Sequence, residues 1–391
     1  MKINYLIMLF AICMSQAHSF SLPKKNTKSY ECDVCSTLSH ETLQDKWHIS
    51  GKSLNTHITN RQKSFGYQQK VTLKQLEHGV IISTRAPGAV IRITPLQDKP
   101  LPSLILSTPT NTNLTIREAS ALYSQDEPFD ESLLASQNQT MLQIKPELGA
   151  GKFTLKSVNS GSLPSDAFMI SVFDKFSLVY LQIESDSIHY QYGDKLTAWL
   201  TLKDNAVNYS VDDLDVFLKG PQGEVIPLKA KEIKANKFEV TGFLTSETNN
   251  HGENWYIEAT VFSESDQEII QRTARTAFSY SIPSARLSSI KKLSSKPLTF
   301  VATLQVATGS RYALQSVLYH KNSLGKIEPI ETSQKAQWLD PGTKVIQFTF
   351  DNSNQLSDDS LYLSYLRLTD YGQLKTVYQY NQPIKLTQLV E

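Results

Sequence analysis

Two cysteines, Cys32 and Cys35, stand in the stretch Glu31-Cys32-Asp33-Val34-Cys35, a spacing that suits three chemistries. A redox pair would need its first thiol at a helix N-terminus in a βαβ setting that favours the thiolate. Glu31 and Asp33 instead put negative charge beside both sulfurs, which works against a thiolate. A zinc site would need two further ligands, and His40, His48 and His57 follow in the sequence, but too far apart to match a His-x3-5-His half-site. The most economical reading in an oxidising compartment is a disulfide between the two.

Other reactive arrangements are sparse. His40-Glu41 is followed by Thr42, Leu43 and Gln44, so the second histidine of a zinc-protease helix is missing. There is no Gly-x-Ser-x-Gly elbow and no phosphate-binding glycine loop. Paired carboxylates for glycoside hydrolysis meet in space and leave no sequence mark. No cofactor is implied. Calcium is the one ion with a candidate loop: Asp351, Asn352, Asn354, Asp358 and Asp359 offer oxygen ligands, although the glycine and closing glutamate of an EF-hand are absent and a solvated turn has the same composition. Asp212, Asp213 and Asp215 form a weaker set.

The chain has 39 Lys and Arg against 38 Asp and Glu, and its longest basic runs are the pairs Lys24-Lys25 and Lys291-Lys292. Neither balance nor run suits a nucleic-acid partner, and none is expected. Residues 1–17 combine Lys2, an apolar stretch from Tyr5 to Met14 and small residues Ser15 and Ala17, the pattern of a signal peptide cut after Ala17. A buried N-terminal helix or strand is the alternative. Cys13 follows Phe-Ala-Ile rather than a small residue, so lipidation is not expected, and no later window is apolar enough to span a membrane. The protein is expected to be periplasmic or secreted, with Cys32 and Cys35 its only mature cysteines.

The elements that would position these residues read as strands. Short β-branched runs with period two alternate with Gly, Pro, Asn and Ser turns from residue 64 onward. The expected class is all-β, with three consecutive immunoglobulin-like sandwiches: an arm over 18–63, then domains over 64–175, 176–282 and 283–391. One short helix is expected in "NLTIREASALYSQ", capped at Asn113 or Thr115. The Ser-rich, basic "SARLSSIKKLSSKP" reads as a linker, and Trp338 as a plug at one end of the last sandwich.

Strand phase singles out three aromatics. In "KLTAWLTLK", Leu196, Ala198, Leu200 and Leu202 share one face and leave Trp199 on the other. By the same argument Phe217 lies off the Leu214, Val216, Leu218 face, and Phe243 off the Phe238, Val240 face. Large aromatics on a polar face mark a second contact surface, either a neighbouring domain or a partner.

The stretches "YQYGDKL", "KGPQGEVIPL", "FEVTGFL" and "GENWYIEATV" resemble immunoglobulin-like modules of secreted bacterial proteins, including those related to macroglobulin repeats. "RYALQSVLYHKNSLGKIEPIETSQKAQWLDPGTKVIQFTFD", with "LSYLRLTD" and the upstream "APGAVIRITP", resembles a family of exported Gram-negative proteins of unknown function. That resemblance implies three β-domains over nearly the whole mature chain and brings no catalytic residues. The expected role is a non-enzymatic binding or adhesion-type protein that presents sandwich surfaces to a protein or glycan. The alternatives are an extracytoplasmic hydrolase with its site in the N-terminal domain, or a structural envelope component.

Overall fold

The computed structural model describes residues 19–51, 60–97, 99–125, 139–158, 165–203, 210–248, 251–264, 268–352 and 356–389. The expected signal peptide, Cys13, His57 and Asn354 lie outside them. The fold is all-β, with three sandwiches in succession. The described residues divide into two compact units, one drawn from 1–57, 245–253 and 280–391, the other from 58–244 and 254–279.

The second unit holds the first two sandwiches. The N-terminal one packs a five-stranded against a four-stranded sheet. In Val90–Pro95, Ile91 and Ile93 point inward with no exposure and Arg92 outward, as period two requires. A helix at Leu73–His78 closes one end; Thr72 accepts a hydrogen bond from Gln75 N while the Gln75 side chain accepts from Thr72 N, and Leu73 and Leu76 are fully buried. The short helix expected with its cap at Asn113 or Thr115 is absent. Thr115 and Glu118 make the same kind of reciprocal cap, but it closes one turn between strands Asn113–Thr115 and Ser120–Gln125.

The central sandwich has one sheet ordered Lys229–Lys234, Lys237–Phe243, Lys195–Lys203, Tyr180–Ser185 and Asn60–Ser64. The other runs His189–Gln191, Ile269–Ser281, Trp255–Glu264, Asp213–Lys219 and Val225–Pro227. Asn60–Ser64, read from sequence as the end of the arm, is thus an edge strand of this domain. The two sandwiches are joined by a buried ion pair. Arg272 Nη2 donates to Asp174 Oδ2 at 2.9 Å, with exposures of 1% and 0%. Asp174 also accepts from Arg85 N and Ala86 N, and Arg272 donates to Val179 O and Ser177 Oγ. Burial pulls the Arg272 guanidinium below its ordinary value, while Asp174 opposes the shift.

In the first unit, the C-terminal sandwich packs around Phe300, Phe348 and Phe350, whose rings lie 5.5–6.0 Å apart. The stretch read as a linker is an 11-residue strand, Ala285–Ser295. Register shifts at Leu287/Ser289 and Lys292/Ser294 break its alternation, yet Ala285, Leu287 and Ile290 are fully buried. The arm adds two strands here: Phe20–Ser21 pairs with Ala285–Ser295, and Leu43–His48 with Ile327–Leu339. Trp338 is not a plug. Half-buried, it stacks on His40 of the arm with centroids 4.1 Å apart.

Candidate functional site

Cys32 and Cys35 form a disulfide across the turn Asp33–Thr37, with Cα atoms 5.4 Å apart. The bridge packs against the backbone of Gly372, where a Cβ would stand 2.7 Å from Cys32 Sγ and 2.8 Å from Cys35 Sγ, and closer still to Tyr30 Oη. The cysteines therefore hold the arm against the C-terminal sandwich. His40 is engaged with Trp338, and His48 lies on the exposed edge strand. Among the described residues, no group of three or more His, Cys, Asp or Glu side chains is arranged to hold a metal.

In the candidate calcium loop each described carboxylate faces a lysine. Asp351 pairs with Lys46, Asp358 with Lys292, and Asp359 with Lys385 at 3.4 Å. Asn352 exchanges hydrogen bonds with the Leu356 backbone, both at 3.2 Å, and the buried Glu331 accepts from the backbone N–H groups of Asp351 and Asn352. Asp212 and Asp213 accept backbone bonds from Glu264 and Leu214.

The three aromatics occupy two different surfaces. Phe217 lies on the outer face of the Asp213–Lys219 sheet, opposite Pro227 and Glu258. Asp213, Asp215, Glu258 and Glu264 share that face with Lys219 and Arg275, an acidic excess. Trp199 and Phe243 lie together on the outer face of the other sheet. Trp199 stands opposite Glu184 on one side and Glu239 on the other; Phe243, 69% exposed, stands opposite Lys195.

Register places a third ring on this face, which sequence phase alone did not single out. Tyr180 is opposite Lys203, and Lys63 Nζ lies 4.8 Å from its ring centre. Tyr180, Trp199 and Phe243 therefore run along a diagonal over three neighbouring strands. The spacings of a sheet put successive members about 14 Å apart. Between them lie Gln182 opposite Thr201, and Thr197 opposite Thr241.

Around the diagonal the charge is basic. The Asn60–Ser64 edge supplies Arg61 and Lys63, and the middle strands Lys195, Lys203 and Lys237. The opposite edge supplies Lys229, Lys231 and Lys234, all exposed. Among the described strand residues of this face, these eight cations stand against Glu184 and Glu239. Glu184 pairs with Arg61 at 2.8 Å and raises its guanidinium pKa, chiefly through that hydrogen bond. A chain of net charge +1 thus carries a basic face and an acidic face on opposite sides of one sandwich.

The N-terminal and central sandwiches also enclose an open cavity of about 740 Å³, lined by Lys70, Lys74, His78, Ile81, Phe262 and Glu264 among others. Its serine, Ser83, donates to Ile269 O at 2.6 Å, and His78 Nδ1 contacts Lys74 O at 2.7 Å. Hydroxyl and imidazole are thus each engaged with backbone, and the described residues of the cavity show no assembled nucleophile and base.

Comparison with known proteins adds a family. Residues 34–174, 177–281 and 284–387 match the N-terminal, central and C-terminal domains of the domain of unknown function DUF4785. A crystal structure of a DUF4785 family protein from Legionella pneumophila is 59% identical, with a TM-score of 0.85, and the match covers 94% of this chain and 99% of that one. A tetra-tandem repeat of a large adhesion protein aligns over 78% of this chain and 69% of its own at 11% identity and a TM-score of 0.17, too low to carry an argument. Comparison with curated proteins finds no match. With all three of its sandwiches matched in order, the chain belongs to the DUF4785 family.

Proposed function

We propose that this protein is an exported, non-enzymatic binding protein whose central sandwich presents the Trp199 face to a protein or glycan partner. The observation that carries the reading is the segregation of charge: among the described residues, eight cations and three aromatics gather on one sheet face of a nearly neutral chain. Like charges this close repel one another in the free protein, and an occupant of opposite charge relieves that repulsion. Phe243 is exposed and Trp199 and Tyr180 are half-buried, and the apolar area they leave in solvent is recovered only when something covers it. Export is supported by the signal-peptide pattern of residues 1–17.

Lysine acylation footprinting tests the reading whatever the partner is. Reactivity of Lys195, Lys203, Lys229 and Lys234 is compared between producing cells and the purified protein, with Lys152 and Lys326 as internal references. Selective protection of the first group in cells is the expected result. Equal reactivity of all six in both settings would remove the binding face.

A further inference from the structure

The diagonal of rings and its flanking groups say what kind of molecule the face fits, and we infer that its ligand is a linear acidic polysaccharide. The inference rests on the binding reading above and names the occupant.

Three features select this chemistry. First, the rings are spread along a line of about 28 Å rather than clustered, which suits an extended polymer better than a globular epitope with one central anchor. Second, the central ring is flanked by acceptors: Glu184 and Glu239 stand on either side of Trp199, with Thr197, Thr201, Thr241 and Gln182 filling the intervals. Such a strip matches sugar rings, whose apolar faces lie on an indole while their hydroxyls donate to carboxylates. A phosphodiester backbone has no hydroxyl or N–H to donate to these two carboxylates at the middle of its path. Third, the cations lie at the ends and edges of the strip. Lys195 accompanies Phe243 at one end; Lys63 and Lys203 accompany Tyr180 at the other. Lys229, Lys231 and Lys234 line the open edge, on a strand exposed along its whole length. Carboxylate groups along a uronic-acid chain would meet these cations while its rings lie on the aromatics.

The test uses the full mature chain and polygalacturonate as the probe, with dextran as the neutral glycan and oligothymidylate as the competing polyanion. Expected is binding to polygalacturonate that falls by roughly tenfold or more between 50 and 200 mM salt, little binding to dextran, and weaker binding to oligothymidylate. Lys229→Glu/Lys234→Glu on the exposed edge strand should weaken binding by about tenfold and flatten the salt dependence. Trp199→Ala should weaken it by about tenfold with the salt dependence retained, since it removes a stacking contact and no charge. Lys70→Glu/Lys74→Glu at the cavity makes the same change in net charge and should leave affinity within about twofold.

Three outcomes overturn the inference: no binding to polygalacturonate at 50 mM salt, oligothymidylate binding as tight or tighter, or equal losses in both charge-reversal variants. Each leaves the footprint test untouched. Protection of the lysines in cells with no polygalacturonate binding would keep the binding face and discard the acidic glycan.

Discussion

Tyr30 Oη donates to Asp370 Oδ2 at 2.9 Å across 340 positions of sequence. Asp370 is fully buried and accepts from Ser284 Oγ, Ser310 Oγ, Gly372 N and Gln373 Nε2 as well. One carboxylate thereby gathers the arm, two strands and a turn of the C-terminal sandwich. Asp370→Ala leaves these donors buried without an acceptor and should destabilise this unit by at least about 3 kcal/mol. Tyr30→Phe removes one donor and should cost only about 1 kcal/mol. Denaturant unfolding checks both, and a larger loss for Tyr30→Phe than for Asp370→Ala would contradict the centre of this network.

The disulfide and Gly372 act on the same joint by different means. Gly372→Ala pushes a methyl group into both sulfurs and Tyr30 Oη, an overpacking penalty of about 1–3 kcal/mol. Cys32→Ser/Cys35→Ser removes a short covalent loop, worth about 2 kcal/mol by the chain-entropy relation. Limited proteolysis should show faster cleavage in the arm for each variant, with the rest of the chain cut at the parent rate.

Buried tyrosines set the alkaline limit of this unit. Tyr30 and Tyr312 are pushed well above the ordinary value of 10.0, mainly by burial and then by the charge of Asp370. Tyr378 is pushed up to about 12, mainly by burial. The folded state therefore holds these protons after the unfolded chain releases them. Their contribution is fully present below pH 10, and falls as pH rises toward and through 12. Thermal unfolding followed from pH 8 to 11.5 should show a constant contribution below 10 and a falling midpoint above it. Tyr378→Phe should flatten part of that fall.

The helix at Leu73–His78 provides a check on a part of the fold that period-two reading passes over. Leu76→Ala opens a cavity in the N-terminal core and should cost about 2–5 kcal/mol; Thr72→Ala removes a cap and should cost about 1 kcal/mol. Thermal shifts in that order are expected, and equal shifts would mean the cap rather than the packing holds the helix.

Strand phase was legible because a residue's side of a sheet follows from parity alone. Leu196, Ala198, Leu200 and Leu202 are buried while Trp199 faces outward. What parity cannot supply is which strands are neighbours. The basic face draws Lys63, Lys203 and Lys231 from three separate stretches, so none forms a run that composition would reveal. Bulges hid the strand Ala285–Ser295, since each register shift reverses the phase and leaves a Ser-rich, Lys-containing stretch looking irregular. The turn at Thr115 and the helix at Thr72 share a capping pattern. The buried Leu73 and Leu76 that follow Thr72 accompany continuation into a helix, whereas Thr115–Glu118 is followed by the strand Ser120–Gln125.

The pair Arg272 and Asp174 separates the value of an ion pair from the cost of breaking one. Each is almost wholly removed from solvent, so the loss of either strands the other as a buried charge. Arg272→Met alone and Asp174→Asn alone should each destabilise the second unit, the first by about 3–5 kcal/mol. The double variant removes both charges and should recover much of that loss, because neither remains uncompensated. Recovery has a ceiling: Arg85 N and Ala86 N still need an acceptor, and the amide introduced by Asp174→Asn can accept at only one oxygen. A double-mutant cycle in denaturant measures the coupling. Strictly additive losses would mean that the two side chains hold the sandwiches together through their separate backbone bonds and that their mutual attraction contributes little.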